Sequence, residues 1–134
     1  MLIIIVIPIK VWIGAISYNK EIRVKWNPLP NMNVGRQGHC SVVMINTLYC
    51  LGGCDNKTTE TYSFTNNVWK RGPDFPFLNC ARAVLNEKDQ CFLVGGYGDR
   101  EYSKSINMFD PIKGIINVQG ELSIGRYSHI AVLL

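Results

Sequence analysis

Apolar residues along this chain come in short runs that are separated by turn-forming residues. Residues 1–7 are wholly apolar and rich in β-branched side chains, which predicts a buried strand. Four shorter segments follow one another at 39–45, 48–51, 60–64 and 68–71, with Asn-rich turns between them, as in successive β-hairpins. The chain has no helical periodicity long enough to compete with these strands. The pattern therefore predicts an all-β fold of short antiparallel strands.

An eight-residue segment occurs twice in the chain, at an offset of 43 residues. Residues 46–53 read NTLYCLGG and residues 89–96 read DQCFLVGG, so each position matches in character. Both segments enter a strand from a polar turn and end in two glycines, Gly52-Gly53 and Gly95-Gly96. Glycine pairs allow the chain to leave a sheet sharply, because they adopt backbone conformations that other residues avoid. The two segments are predicted to be equivalent strands, each the second strand of a four-stranded unit.

Other residues recur at a similar spacing. Trp26 and Trp69 are also 43 residues apart, and Tyr62 precedes Trp69 by seven. Three arginines follow the Pro-containing linkers at gaps of 46 and 44 residues: Arg36, Arg82 and Arg126. Units of about 45 residues with four meandering strands are typical of β-propeller blades. The repeat divides the chain into a degenerate blade remnant at 1–30, two near-complete blades at 31–76 and 77–121, and the first strand of a further blade at 122–134.

These residues resemble the kelch family, whose repeat has a Gly-Gly doublet, then a Tyr, then a Trp about seven residues later. The second repeat has Phe109 in the Tyr position and Ile116 in the Trp position, while the N-terminal unit has Pro8-Ile9 where the glycines belong. The resemblance implies a partial kelch β-propeller in which aromatic residues pack between blades and the Arg bridges them. Structural roles follow for Trp26, Arg36, Gly52, Gly53, Tyr62, Trp69, Arg82, Gly95, Gly96, Phe109 and Arg126.

Within that family the chain is most similar to poxvirus kelch-like proteins of the BTB-kelch type. Its 15 Ile and 12 Asn are high for 134 residues, which is typical of an AT-rich genome. Such proteins carry N-terminal BTB and BACK domains that dimerise and bind a cullin ligase. The length leaves room for neither, so we expect a truncated form that reaches a cullin only through the missing domains.

The formal net charge of +4 is small, and the basic residues are scattered along the chain. Nucleic-acid binding needs a concentrated basic patch that neutralises several phosphates. A nucleic-acid partner is therefore excluded from the expected functions.

The N-terminus leaves two interpretations open. A membrane span needs about 20 apolar residues, whereas this run is interrupted by Pro8 and Lys10. A signal peptide carries its basic residue before the apolar run, whereas Lys10 follows it. A buried strand is the favoured interpretation, and a leader or anchor is the alternative.

Residues with possible chemistry are explained by the repeat. The stretch 95–100 resembles a nucleotide-binding loop, but Glu101 replaces the glycine that the dinucleotide fingerprint requires. His39 and His129 lie at equivalent repeat positions, which favours structural roles. No catalytic residue, metal site or cofactor is predicted, and we expect the protein not to be an enzyme.

The remaining candidates are loop residues, since loops carry function on rigid scaffolds. The resemblance implies peptide binding by the loops on one face of the propeller. On this chain they supply Gln37, Asp55, Asn56, Lys57, Tyr97, Asp99, Arg100, Tyr127 and Ser128. The predicted function is protein–protein interaction, as in the substrate-recognition domain of a BTB-kelch ubiquitin-ligase adaptor. A degenerate gene product without activity and a secreted or membrane-anchored kelch protein are the alternatives.

The five cysteines, Cys40, Cys50, Cys54, Cys80 and Cys91, are predicted to be free thiols. Their number is odd, and their spacing matches no zinc motif. Free thiols favour a reducing compartment, and we expect the cytoplasm. Titration of the denatured, unreduced protein with Ellman's reagent should find five thiols per chain. A count near one would contradict both the redox state and the cytoplasmic assignment.

Overall fold

The computed structural model describes the backbone of residues 2–6, 11–19, 21–54, 56–75 and 79–132. All the regular secondary structure in these ranges is antiparallel β-sheet. The all-β prediction is thereby confirmed. The described segments include no helix with the length and apolar character needed to cross a bilayer.

The N-terminal segment forms a three-stranded sheet in the order β1-β2-β3. Its strands are β1 (Leu2–Val6), β2 (Val11–Asn19) and β3 (Glu21–Leu29). Residues 2–6 of the apolar N-terminus are thus in a strand, while the choice between a buried strand and a leader stays a prediction. The Pro8-Ile9 pair lies outside the described residues.

The first four-stranded unit follows in meander order. It consists of β4 (Cys40–Met44), β5 (Thr47–Leu51), β6 (Thr59–Ser63) and β7 (Val68–Arg71). Each strand lies within one residue of its predicted bounds. The first hairpin turns on Ile45 and Asn46, one residue earlier than expected, and both have positive φ, as a two-residue hairpin with the native twist requires.

The second unit has the same meander with an added hairpin. Its sheet contains β8 (Arg82–Leu85), β9 (Cys91–Val94), β12 (Ser105–Asp110) and β13 (Gly114–Glu121). Between β9 and β12 the chain forms β10 (Tyr97–Gly98) and β11 (Glu101–Tyr102). Leu48 pairs with Tyr62 as Cys91 pairs with Phe109, so β5 and β9 are equivalent second strands, as the repeat predicted.

Strand register corrects the residue that takes the place of Trp69 in the second unit. Tyr62 pairs with Trp69, and Phe109 pairs with Ile115 rather than with Ile116. The hairpin of the second unit is one residue shorter than that of the first. Counting along the sequence therefore places the equivalent residue one position too late.

The C-terminal segment also differs from the prediction of a first strand at 122–134. Residues 122–132 contain no strand. The first strands β4 and β8 each pair with the second strand of their own unit. No strand in the described part of the chain pairs with residues 122–132.

Two apolar clusters hold the first unit from its two sides. One cluster joins both four-stranded sheets, and its buried members are Cys40, Val42, Met44, Leu51, Phe75, Cys91, Leu93 and Phe109. The other contains Met32, Leu48, Cys50, Tyr62 and Trp69, with Leu29, Val43 and Phe64 packed against it. The chain before the first unit thus covers one face of its sheet, and the second unit contributes to the cluster on the other.

Trp69 is buried, as expected, with 7% of its surface exposed. Its ring lies 5.1 Å from that of Tyr62, and its Nε1 donates a 2.8 Å hydrogen bond to the Pro30 carbonyl. Trp26 does not share this environment, since 39% of its surface is exposed. The expected burial of Trp26 between units is therefore not found.

Trp69→Ala is expected to lower the free energy of unfolding by about 3–5 kcal/mol, because it removes a buried ring from a packed cluster. Ile115→Ala should cost less, since Ile115 is only half-buried. Denaturant unfolding of the full chain, followed by circular dichroism, measures both losses. Equal losses would contradict the larger packing role of Trp69.

Candidate functional site

The two glycine pairs form sharp exits from the second strands. Gly52 and Gly53 have φ of 62° and 125°, and Gly95 and Gly96 have φ of 60° and 113°. A Cβ on Gly53 would lie 2.9 Å from the Gln37 carbonyl oxygen. A Cβ on Gly95 would lie 2.4 Å from the Arg126 carbonyl oxygen. Gly53 and Gly95 are required because another loop packs directly on their backbone.

Three loop segments lie side by side at this end of the strands, and we call residues 37–38, 79–80 and 127–128 the loop row. The Cys80 amide donates to the Gly38 carbonyl at 2.6 Å, and the Ser128 amide donates to the Cys80 carbonyl at 3.1 Å. The second residue of each segment has a left-handed conformation, with φ of 64° at Gly38, 53° at Cys80 and 49° at Ser128. The same backbone hydrogen bond thus connects each segment of the row to the next.

A buried ion pair anchors the first segment of the loop row. The Arg36 Nη2 lies 3.2 Å from Glu60 Oε1, and the guanidinium also donates to the carbonyls of Gly52 and Thr58 at 3.0 and 2.6 Å. Glu60 in turn accepts hydrogen bonds from the backbone amides of Asn33 and Val34 at 2.8 and 2.9 Å. Arg36 is 2% exposed, so these contacts replace the hydration that its Nη1 and Nη2 atoms lose on burial.

The register corrects the predicted equivalence of Arg82 with Arg36. Arg82 pairs with Val94 as Cys40 pairs with Leu51, so Arg82 is level with Cys40. Its guanidinium donates to the Ala81 carbonyl at 3.1 Å. The position level with Arg36 is Leu78, which lies outside the described residues.

In the second unit a different residue also takes the place of Glu60, the acidic partner of the ion pair. Cys50 pairs with Glu60, and Leu93, at the position level with Cys50, pairs with Asn107. Asn107 is buried and donates to the Ser105 hydroxyl at 3.0 Å. Both charged positions of the first unit are thus occupied by uncharged residues in the second. Arg126, in contrast, is exposed, and its carbonyl accepts from the Gly96 amide at 2.8 Å.

A cluster of three tyrosines lies beside the loop row. The rings of Tyr102 and Tyr127 stack with centroids 5.0 Å apart and an interplanar angle of 5°. The Tyr97 ring lies 5.7 Å from the first and 6.2 Å from the second. Tyr102 and Tyr127 are 56% and 48% exposed. The structure therefore brings together Tyr97 and Tyr127, two of the predicted binding residues from different loops.

The β10-β11 hairpin positions this cluster. Tyr97 pairs with Tyr102, and Asp99 and Arg100 form the two-residue turn with φ of 50° and 67°. Both turn residues are exposed. Sequence reasoning missed Tyr102, although a second aromatic five residues after Tyr97 in the longer loop is a usable signal.

Other predicted binding residues have structural contacts. Asn56 Oδ1 accepts from the amide and hydroxyl of Thr58 at 2.9 and 2.7 Å, so this side chain forms the turn. Lys57 is exposed, and its carbonyl accepts from the Phe75 amide at 2.6 Å. Gln37 is exposed at the first end of the loop row, and its carbonyl accepts from the Cys54 amide at 2.7 Å. Asp55 lies outside the described residues.

The two histidines lie close to the glycine pairs. A Cβ on Gly53 would lie 3.6 Å from the His39 Cβ, and one on Gly95 would lie 3.0 Å from the His129 Cε1. Burial and then the nearby Arg36 charge lower the pKa of His39, while burial followed by Arg82 and Arg126 lowers the pKa of His129. Both rings therefore favour the neutral form. The described part of the chain has no group of three side chains arranged as metal ligands.

The five cysteines are free thiols of two kinds. Burial raises the pKa of Cys40 to about 11 and those of Cys50 and Cys91 to about 12. These three thiols are therefore unreactive at neutral pH, since the thiolate is the nucleophile. Cys54 is exposed and Cys80 is half-buried, and both lie at the loop row.

A shallow cavity of about 220 Å³ lies at the opposite ends of the strands. Met44, Tyr49, Met108 and Phe109 contribute its apolar lining, and Asp89 and Asp110 contribute carboxylates. Backbone hydrogen bonds from Lys113 and Ile112 lower the pKa of Asp110, so this carboxylate stays ionised. The described candidate loop residues of the first and second units lie at the other ends of the strands, before β4 or after β5 and β9.

Arg36→Ala is expected to lower the free energy of unfolding by about 3–5 kcal/mol, because it leaves the Glu60 carboxylate buried without its cation. Arg71→Ala is the matched control, since it breaks the exposed Arg71–Asp74 pair and should cost less than about 1 kcal/mol. Thermal and denaturant unfolding of both variants measure the two losses in free energy of unfolding. Similar small losses would show that Arg36 does not hold the loop row.

Comparison with known proteins finds similarity to the Kelch motif and to Kelch-like proteins. Residues 35–76 match the Kelch motif. The chain is 30% identical over 118 residues to Kelch-like protein 23 of Pongo abelii and 29% identical over 117 residues to that of Homo sapiens, in each case covering 84% of this chain and 20% of the relative. It is also 30% identical over 70 residues to Kelch-like protein 8 of Mus musculus, covering 48% of this chain and 11% of that protein.

The chain spans about a fifth of the length of Kelch-like protein 23. Its antiparallel four-stranded sheets, their glycine exits and the aromatic pairs agree with the motif match. Together these findings support a kelch-repeat family for the chain, and its fold is consistent with a partial kelch β-propeller.

Proposed function

We propose that this chain is a protein-interaction module that binds a peptide segment of its partner on the loop row and the tyrosine cluster. The observation that most directly supports this proposal is that Tyr102 and Tyr127 are stacked and half-exposed. Tyrosines supply large, rigid contact area together with a polar hydroxyl, and they are enriched among residues that dominate binding energy.

The charges around the tyrosines suggest the chemistry of the peptide. Arg100 lies at the exposed hairpin tip, and Arg126 precedes Tyr127. Arginine forms strong, directional hydrogen bonds with carboxylates. We propose an extended ligand segment with an acidic residue next to an apolar or aromatic one, so that the ring faces and the guanidinium groups are used together.

The other loop candidates belong to the periphery of this proposed surface. Gln37 and Ser128 lie in the loop row, and Asp99 lies at the hairpin tip beside Arg100. Asn56 and Lys57 continue the surface beyond Gly53, where Asn56 donates its amide to the Gly53 carbonyl at 3.2 Å. We expect these residues to adjust specificity rather than to supply most of the affinity.

The adaptor role extends the proposal to the whole protein. Similarity to Kelch-like proteins 23 and 8 supports a substrate-recognition domain of the BTB-kelch ubiquitin-ligase type. Cullin binding would belong to BTB and BACK domains and not to the residues of this chain. We further propose that the protein is non-enzymatic, cytoplasmic and of poxvirus type. The free thiols support the cytoplasm, and the high Ile and Asn content supports the poxvirus type.

Selection of a random-sequence peptide library on the full chain tests the binding face. Tyr127→Ala and Tyr102→Ala should each weaken the selected peptides at least about tenfold, the loss typical of an energetically important contact. Ile112→Ala is the matched control, because Ile112 is 88% exposed in a hairpin at the opposite ends of the strands. Unchanged circular dichroism of all three variants separates binding from folding.

Peptides that bind the tyrosine variants normally would contradict the proposed face. Loss of binding in Ile112→Ala alone would move the site to the cavity between Met44 and Phe109.

A further inference from the structure

Two cysteine sulfurs from different units converge on one glycine of the loop row. A Cβ placed on Gly38 would lie 2.9 Å from the Cys80 Sγ and 3.2 Å from the Cys54 Sγ. The two sulfurs are therefore at most about 6 Å apart, the sum of those distances. Cys54 follows the glycine pair of the first unit, and Cys80 precedes the first strand of the second.

Backbone hydrogen bonds hold both residues at this place. The Cys54 amide donates to the Gln37 carbonyl at 2.7 Å, and the Cys80 amide donates to the Gly38 carbonyl at 2.6 Å. Each cysteine is thus attached to one of two consecutive residues. Because Gly38 has no side chain, the space between the two sulfurs is left open on its side.

Exposure distinguishes this pair from the other three cysteines. Cys40, Cys50 and Cys91 are buried in the apolar clusters, whereas Cys54 is exposed and Cys80 half-buried. A soluble oxidant therefore reaches Cys54 first, and the neighbouring thiol is in position to react with the product.

We propose that Cys54 and Cys80 form a reversible disulfide that links the first and second units across the loop row, with glutathione disulfide or a similar small disulfide as the oxidant. The inference rests on the position of the two sulfurs and holds whether or not the loop row binds a peptide. The buried cysteines take no part in it.

The exchange proceeds in two steps. The Cys54 thiolate attacks one sulfur of glutathione disulfide, the S–S bond breaks, and one glutathione thiolate leaves. The Cys80 thiolate then attacks the Cys54 sulfur of the mixed disulfide, and the second glutathione leaves. The two cysteines lose two electrons and two protons, which the two glutathione molecules carry away as thiols.

The bond would change the loop row physically. It would close a covalent loop from residue 54 to residue 80 and fix the segment 37–38 between the two units. A cross-link of this kind stabilises the folded chain chiefly by restricting the unfolded one. The oxidised protein should therefore unfold at a higher temperature than the reduced protein.

Peptide mapping of the full chain tests the proposal. The reduced protein is treated with glutathione disulfide, alkylated and digested with trypsin without reduction. Trypsin releases Cys80 in peptide 72–82 and Cys54 in peptide 37–57, which also contains Cys40 and Cys50. We expect these two peptides to be joined, the thiol count to fall from five to three, and dithiothreitol to reverse both changes.

Cys54→Ser and Cys80→Ser are the variants that locate the bond. Each should abolish the linked peptide, whereas a link that persists in Cys54→Ser would assign the bond to Cys40 or Cys50 and overturn the proposal. Phenylarsine oxide, which binds two neighbouring thiols together, should bind the reduced protein one to one and bind neither variant at that stoichiometry.

Three further results would contradict the inference. They are separate glutathione adducts on Cys54 and Cys80 without a linked peptide, a disulfide between two chains, and equal alkylation rates for all five cysteines in the untreated protein. The last result would mean that the buried and exposed thiols do not differ as the proposal requires.

Discussion

The apolar layer shared by the two four-stranded sheets is the interaction on which the other features depend. A four-stranded sheet has two faces and cannot cover either with its own side chains, so stacked units bury each other. Tyr49 of the first unit meets Phe109 of the second edge to face, with ring centroids 5.7 Å apart. Phe75, in the linker between the units, is buried in the same layer.

Packing of the sheets brings the loops at one end of the strands into register. Once the units are stacked, the Cys80 amide reaches the Gly38 carbonyl and the Ser128 amide reaches the Cys80 carbonyl. These backbone bonds leave the neighbouring side chains available. The resulting arrangement has a rigid base and exposed residues from separate loops, which is the usual setting for binding sites on repeat scaffolds.

The two units achieve the same fold with different polar interactions. In the first unit, Arg36 and Glu60 form a buried pair that also satisfies four backbone groups. In the second unit, Asn107 donates a hydrogen bond to Ser105. The loop between its second and third strands, β9 and β12, contains the added β10-β11 hairpin. The first unit therefore carries the buried ion pair, and the second carries Tyr97 and Tyr102, two of the three clustered tyrosines.

The sequence by itself determined the four strands of the first unit, the offset of 43 residues between β5 and β9, and the placing of Tyr62 and Trp69 in successive strands. These features are local, because the alternation of apolar residues, the turn residues and the glycine pairs all act within a few positions. Burial of Trp69 was implied by the resemblance to the kelch repeat, and the same expectation was wrong for Trp26, which is 39% exposed.

Only the tertiary structure decided which residues are equivalent between units and which residues from different loops meet. A one-residue difference in hairpin length moved the place of Trp69 to Ile115, and strand register places Arg82 level with Cys40 rather than with Arg36. The stacking of Tyr102 on Tyr127 and the meeting of Cys54 with Cys80 at Gly38 join residues about 25 positions apart. Such contacts depend on register and on the packing of one sheet against the next, and these are set by many weak interactions across the chain rather than by any short segment of it.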